Sequence, residues 1–137
     1  MGHPALSAAA LCSAHDSFPQ ALALSQKGCN AFALICRPGY ETGPADCARA
    51  VAFILDHAEE LGVDPGGYSL WGGSAGARIA DWVGTYAAGY FGEADCPRPA
   101  AVILQYTGLS EVTGFEPATY SCVGSRDAIA FWEGNMR

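Results

Sequence analysis

The stretch that most constrains this chain is Tyr68-Ser69-Leu70-Trp71-Gly72-Gly73-Ser74-Ala75-Gly76-Ala77-Arg78. A short apolar run ends at Trp71, and a pattern of helical period starts at about Ala75. Strand must therefore pass into helix around Ser74. A side chain at the tip of so sharp a turn is held in a strained backbone conformation. Glycine flanks it, at 72 and 76, because a Cβ there would collide with the adjoining strand and helix. The turn lifts the Ser74 hydroxyl above a sheet edge. It also sets the Ala75 N–H at a helix N-terminus, where negative charge on an oxygen is stabilised.

The rest of the chain alternates between strand-like and helix-like runs. Met1–Ser17 shows no clear period and is expected to be loop. Phe18–Lys27 places Phe18, Ala21, Leu22 and Leu24 at helical spacing, with Gly28 beyond its end. Asn30–Cys36 is a continuous apolar run, as in a strand buried on both faces. Ala45–Leu61 carries an apolar stripe of Val51, Ile54, Leu55, Ala58 and Leu61; Gly62 ends that helix, and Pro65-Gly66-Gly67 turns into the strand Tyr68–Trp71. Ala75 to about Tyr86 reads as helix, Ala100–Tyr106 and Thr119–Val123 as strands, and Ala128–Met136 as the start of a last helix. Such alternation implies βαβ units, and hence a single α/β domain over residues 1–137. Its sheet is expected to be mostly parallel, with helices on both faces.

Composition narrows the possible partners. Of 137 residues, 50% are apolar and 15% charged, enough for a core of its own. A net charge of −7, with seven Lys and Arg scattered along the chain, argues against a nucleic-acid partner. Cys12, Cys29, Cys36, Cys47, Cys96 and Cys122 lack the short spacings of zinc or redox motifs. They are expected to be reduced, mostly buried thiols, with no metal and no cofactor. Ala5–Leu11 is apolar, yet no Lys or Arg precedes it, and no run reaches the ~20 apolar residues of a membrane span. The expectation is a cytoplasmic chain that does not engage membranes.

Gly72-x-Ser74-x-Gly76 between strand and helix is the pattern of a nucleophile elbow. Its flanks extend the likeness. Arg37 follows a strand, Asp46-Cys47-Ala48-Arg49-Ala50-Val51 opens a helix, and Leu61-Gly62-Val63-Asp64-Pro65 leads into the elbow strand. From about His15 to Asp127 the chain resembles the α/β-hydrolase superfamily, in its small esterase or acetylesterase-like branch. The resemblance implies a serine hydrolase acting on small carboxylic esters such as short-chain acyl or acetyl esters. Ser74 takes the nucleophile position, and Ala75 and Gly73 contribute the backbone of the oxyanion site. Asp127, in Val123-Gly124-Ser125-Arg126-Asp127, takes the position of the acid that orients an imidazole. It also stands where a residue capping the Ala128 helix would stand.

The resemblance implies a histidine a few tens of residues past the acid, but none follows Asp127 as far as Arg137. His3, His15 and His57 all precede Ser74. His57 falls on a helix flank, as a structural residue would, and His3 lies in the terminal segment. His15 aligns with a loop that overhangs the nucleophile and is the surrogate base among the three, although a plain loop histidine fits the same position. Where the family has a glycine-rich oxyanion loop this chain has Ala5-Leu6-Ser7-Ala8, and too few residues precede His15 to supply the family's first strands. The expectation is the middle of an α/β-hydrolase, with both ends missing or rewritten. Its exposed sheet edges favour a homo-oligomer. Besides an esterase, two readings stay open: a catalytically silent relic that binds small ligands or acts as an interaction module, and a nucleotide-binding domain using Gly72-Gly73-x-x-Gly76. The latter departs from the Gly-x-Gly-x-x-Gly spacing.

Overall fold

The computed structural model describes residues 4–9, 17–93, 96–107 and 112–130. Strands β1 (Pro4–Ala9), β2 (Asn30–Ile35), β3 (Ser69–Gly73), β4 (Ala101–Gln105) and β5 (Ala118–Cys122) lie in the order β2-β1-β3-β4-β5. Every neighbouring pair is parallel. Parallel neighbours need crossover connections, and helices supply most of them. Helix α1 (Ser17–Ser25) joins β1 to β2; α2 (Thr42–Asp56) and the short α3 (Ala58–Leu61) join β2 to β3; α4 (Ala75–Tyr86) and a 3-10 turn at Ala88–Phe91 lie between β3 and β4.

Burial alternates along β3 and β4, so the two sheet faces are not equivalent. Leu70, Gly72, Val102 and Leu104 point to the face covered by α4 and α2, where they meet Ala77, Ala80, Val83, Cys47 and Val51. This is the main core. Trp71, Ile103 and Gln105 point to the other face and stay half-exposed. Helix α1 lies there, against β1 and β2, and the Gln20 amide donates to the Gln105 side-chain oxygen at 2.8 Å. The sheet is thus α/β with helices on both faces, one face sealed and the other half-covered among the described residues.

Three expectations change. Met1–Ser17 contains a strand, β1, and it is central. Its alanines have low strand propensity; pairing with β2 on one side and β3 on the other holds it in the sheet. The Ala5-Leu6-Ser7-Ala8 segment is therefore sheet and not an oxyanion loop. Second, β2 lies at the sheet edge, and Ile35 is 72% exposed instead of buried. Third, the Ala45–Leu61 helix starts earlier, at Thr42, and breaks at His57. The Phe53 carbonyl there accepts from both the His57 N–H and Nδ1, and the two rings stack at 4.2 Å. Gly62 closes α3 in the left-handed conformation, as its sequence position suggests.

The cysteines follow environment. Cys36 and Cys47 are buried, Cys29 and Cys96 half-buried, and Cys122 exposed; these five are free thiols, and Cys12 lies outside the described residues. Burial pushes the Cys47 thiol up to about 12, which keeps it protonated and unreactive. No helix among the described residues is long and apolar enough to cross a membrane. The residues of the expected last helix beyond Ala130 lie outside the described part.

One carboxyl group is placed against its own chemistry. Asp81 on α4 is half-buried; desolvation, helped by the nearby Glu116 charge, raises its pKa to about 6 despite a hydrogen bond from Thr85. The folded chain holds this proton more tightly than the unfolded chain does. Stability is therefore unaffected below the unfolded value and is lost as pH rises through about 6. Asp81→Asn should leave the melting temperature unchanged near pH ~4 and raise it by several degrees near pH ~8. A gain that does not widen with pH would contradict this.

Candidate active site

The carboxyl ends of parallel strands are where open α/β sheets present ligand sites, and Ser74 stands at the carboxyl end of β3. Its backbone is left-handed, with φ 51° and ψ −118°. A non-glycine residue in such a conformation costs about 1–3 kcal/mol, and strain of this kind collects at functional sites. Hydrogen bonds on both sides hold it. The Ser74 N–H donates to the Gln105 carbonyl of β4 at 3.0 Å, while the Ser74 carbonyl accepts from the N–H groups of Ala77 and Arg78 and starts α4. Ser74 itself is exposed.

The two glycines before it meet different neighbours, because successive residues of a strand face opposite sides of the sheet. A Cβ on Gly72 would run into the backbone of Gly76 and Ala77, so strand and helix touch main chain to main chain there. A Cβ on Gly73 would collide with the phenol of Tyr106, reaching its Cζ at 2.6 Å. Tyr106 follows β4 and is also left-handed, with φ 42°; its N–H donates to the Cys122 carbonyl at 2.7 Å. Strained residues therefore end two adjacent strands. The motif marks Gly73, and the structure adds the ring that a side chain there would displace. A tyrosine after a buried strand carries no such signal by itself.

Ala75 is the first residue of α4, so its N–H belongs to the helix turn that has no carbonyl partner within the helix. The α4 dipole points its positive end at the same place. Asp127 follows β5, two strands away from β3 on the same edge of the sheet, roughly 10 Å across at ordinary strand spacing. Its Oδ1 accepts from the N–H groups of Ala130 at 2.9 Å and Ile129 at 2.8 Å. Those bonds hold the carboxyl below the usual range and ionised at neutral pH; residues 128–130 are bends, so the bonds close a turn after β5 and not the first turn of a described helix. A carboxylate has lone pairs on both oxygens, so accepting these bonds through Oδ1 leaves Oδ2 for a second donor.

His57 stands at the other edge of the sheet. It ends α2, which runs back toward the amino ends of the strands, and its Nδ1 is committed to Phe53. His3 and His15 lie outside the described residues. Arg37 and Asp46 meet: the Asp46 carboxylate takes Nη2 at 2.6 Å, Nε at 3.1 Å and the Arg37 N–H at 2.8 Å. This clamp fixes the turn from β2 into α2. Arg49 pairs with Glu93 at 3.1 Å. These arginines therefore fasten connections of the fold.

The profile of the BD-FAE family matches residues 41–117, more than half of the chain, and the chain belongs to that family. Solved structures with the same fold are esterases and hydrolases. An acetyl ester-xyloside bifunctional hydrolase from Caldicellulosiruptor lactoaceticus superposes with a TM-score of 0.79 at 20% identity, over 98% of this chain and 66% of its own. Esterase 2 of Thermogutta terrifontis, phosphoramylated by tabun, gives 0.75 at 20%, over 96% and 63%. An α/β hydrolase from a Medee basin deep-sea metagenome library gives 0.64 at 25%, over 90% and 51%. The chain thus spans about half to two thirds of the structures it resembles. No curated protein sequence matches it.

The backbone contact under Ser74 can be tested directly. Gly72→Ala should destabilise the chain by about 3 kcal/mol or more, as overpacking against main chain does. Gly89→Ala, whose Cβ would meet nothing within 4 Å, should change stability little. Equal denaturant midpoints for the two variants would contradict the close approach of β3 and α4.

Proposed function

We propose that the chain is the nucleophile-bearing part of a serine esterase acting on small carboxylic esters, with Ser74 as nucleophile. The observation that carries this reading is the left-handed Ser74 between Gly72 and the first turn of α4. In the reaction, Ser74 Oγ adds to the ester carbonyl carbon while an imidazole takes its proton. The carbonyl oxygen becomes an oxyanion, and the Ala75 N–H at the start of α4 is its donor. The bond to the alcohol oxygen then breaks, and the alcohol leaves with the proton from the imidazole. Water, deprotonated by the same imidazole, releases the acid and restores Ser74. Asp127 is the carboxylate that orients the imidazole. Gly73, with no side chain, leaves the backbone beside the oxyanion open.

The imidazole comes from outside the described residues. His15 is the candidate within this sequence, and a histidine of a neighbouring copy is one source outside it. Removing the histidine of a complete triad costs roughly 10⁶ in turnover, and loss of one oxyanion donor a further ~10²–10³. Binding and nucleophile geometry can therefore persist where turnover is very low. The half-exposed β2 edge carries an apolar groove lined by Phe32, Leu34, Ile35, Phe53 and Leu61. We infer that a second copy pairs there and makes the protein a homo-oligomer.

A fluorophosphonate should label Ser74 and no other serine, losing fluoride as the phosphorus–Oγ bond forms. Peptide mapping reads the site, and labelling that survives Ser74→Ala would sink the assignment. Hydrolysis of p-nitrophenyl acetate should be slow and should fall further in His15→Ala; an unchanged rate would remove His15 as base. Light scattering should report more than one copy per particle, and a monomer would refute pairing through β2.

A further inference from the structure

The sequence offers Tyr106-Thr107-Gly108, after the strand next to the elbow, as pocket lining or as a plain turn, and the Tyr106 ring stands beside the candidate nucleophile. Its phenol end fills the space that a side chain at position 73 would take, directly before Ser74. By strand alternation Gly73 faces the side of the sheet away from α4, so the ring stands across the strand from the helix that supplies the Ala75 N–H. Tyr106 would follow Leu104 onto the α4 face if β4 simply continued. The left-handed backbone at φ 42° turns it aside. The Tyr106 N–H bond to Cys122 and the Ser74 N–H bond to Gln105 lock both bends into the same ladder. A bulky residue in this conformation is a genuine outlier, and it is held beside a second outlier that carries the candidate nucleophile. Even so, Tyr106 is 40% exposed, so part of this side chain stays open to solvent one residue from Ser74 as well as packing on Gly73.

Resting on the assignment of Ser74 as nucleophile, we propose that Tyr106 is the specificity-determining side chain of this site. Its ring is the wall, standing over Gly73, that limits the size of the ester substituent held beside Ser74. The site accordingly takes esters with a short substituent on that side and excludes long ones. The ring acts by volume, so phenylalanine can replace it, and alanine cannot.

The test is the rate of Ser74 labelling by two fluorophosphonates, one with a short and one with a long alkyl substituent on phosphorus. The wild type should prefer the short probe. Tyr106→Ala should shift the ratio toward the long probe by about tenfold or more, the scale set by a few methylenes in a pocket. Tyr106→Phe should keep the wild-type ratio. Gly73→Ala should displace the ring and shift the ratio in the same direction, and that shift should vanish in a Tyr106→Ala background. A general loss of packing would slow or speed both probes alike, and thermal melts of each variant identify one that fails to fold. If Tyr106→Ala fails, Gly73→Ala carries the test. Ser74 labelled with an unchanged ratio in folded variants overturns the role of Tyr106 alone. Absence of any Ser74 labelling overturns the nucleophile assignment and this inference together.

Discussion

Strand β3 and helix α4 meet backbone to backbone where Gly72 lies on Gly76, and the geometry of the site depends on that approach. Because no side chain separates them, the chain reverses from strand to helix at Ser74 alone, and Ser74 takes the strained conformation that makes the reversal possible. The cost is offset by the layers on either side. Leu70, Val102 and Leu104 bury fully against Ala77, Ala80 and Val83, so helix and sheet are already fixed before the turn is considered. Interiors at native density transmit strain and do not absorb it, which is why the turn cannot relax. The exposed hydroxyl is a consequence of the buried contact beneath it.

A second constraint acts from the other side of the sheet. The Tyr106 ring closes on Gly73 as Gly76 closes on Gly72, so the two residues before Ser74 are confined from opposite faces. Catalytic sites need reacting groups held without reorganisation, and confinement from both faces is one physical route to that. The same arrangement places the start of α4 after Ser74 and the Tyr106 ring against Gly73 before it. In the proposed reading, charge stabilisation and shape selection fall to these different elements, α4 and the end of β4.

Much of this was legible in the sequence wherever a local signal determined the outcome. Ala75–Tyr86 begins and ends where its pattern said, because strand and glycine pair fix its start. Gly62 closes its helix in the left-handed region that only glycine enters freely. Where a long-range contact decided, the sequence was silent or misleading. The alanines of β1 form a strand only because two neighbours pair with it, and no propensity in Pro4–Ala9 says so. The break at His57 is local: it falls where the ring stacks on Phe53 and Nδ1 shares the Phe53 carbonyl, a contact that the apolar stripe does not signal. At the site, Ser74, Gly73 and the Asp127 turn were visible as motif; Tyr106 was visible only as a residue after the next strand, and its contact with Gly73 was not. Its importance comes from a backbone conformation and a contact across strands. Arg37 and Asp46 were each singled out by resemblance, and only the structure pairs them, as a fastening of the β2–α2 turn.

The central claim is that one strained serine, confined between a helix start and an aromatic ring, is the reactive centre of the chain. The most direct measurement is a crystal structure of the covalent phosphonate adduct. The account predicts phosphorus bonded to Ser74 Oγ, its free oxygen about 3 Å from the Ala75 nitrogen, and its alkyl substituent against the Tyr106 ring. An adduct on another residue, or one on Ser74 with that oxygen turned to solvent and the substituent far from Tyr106, would contradict it.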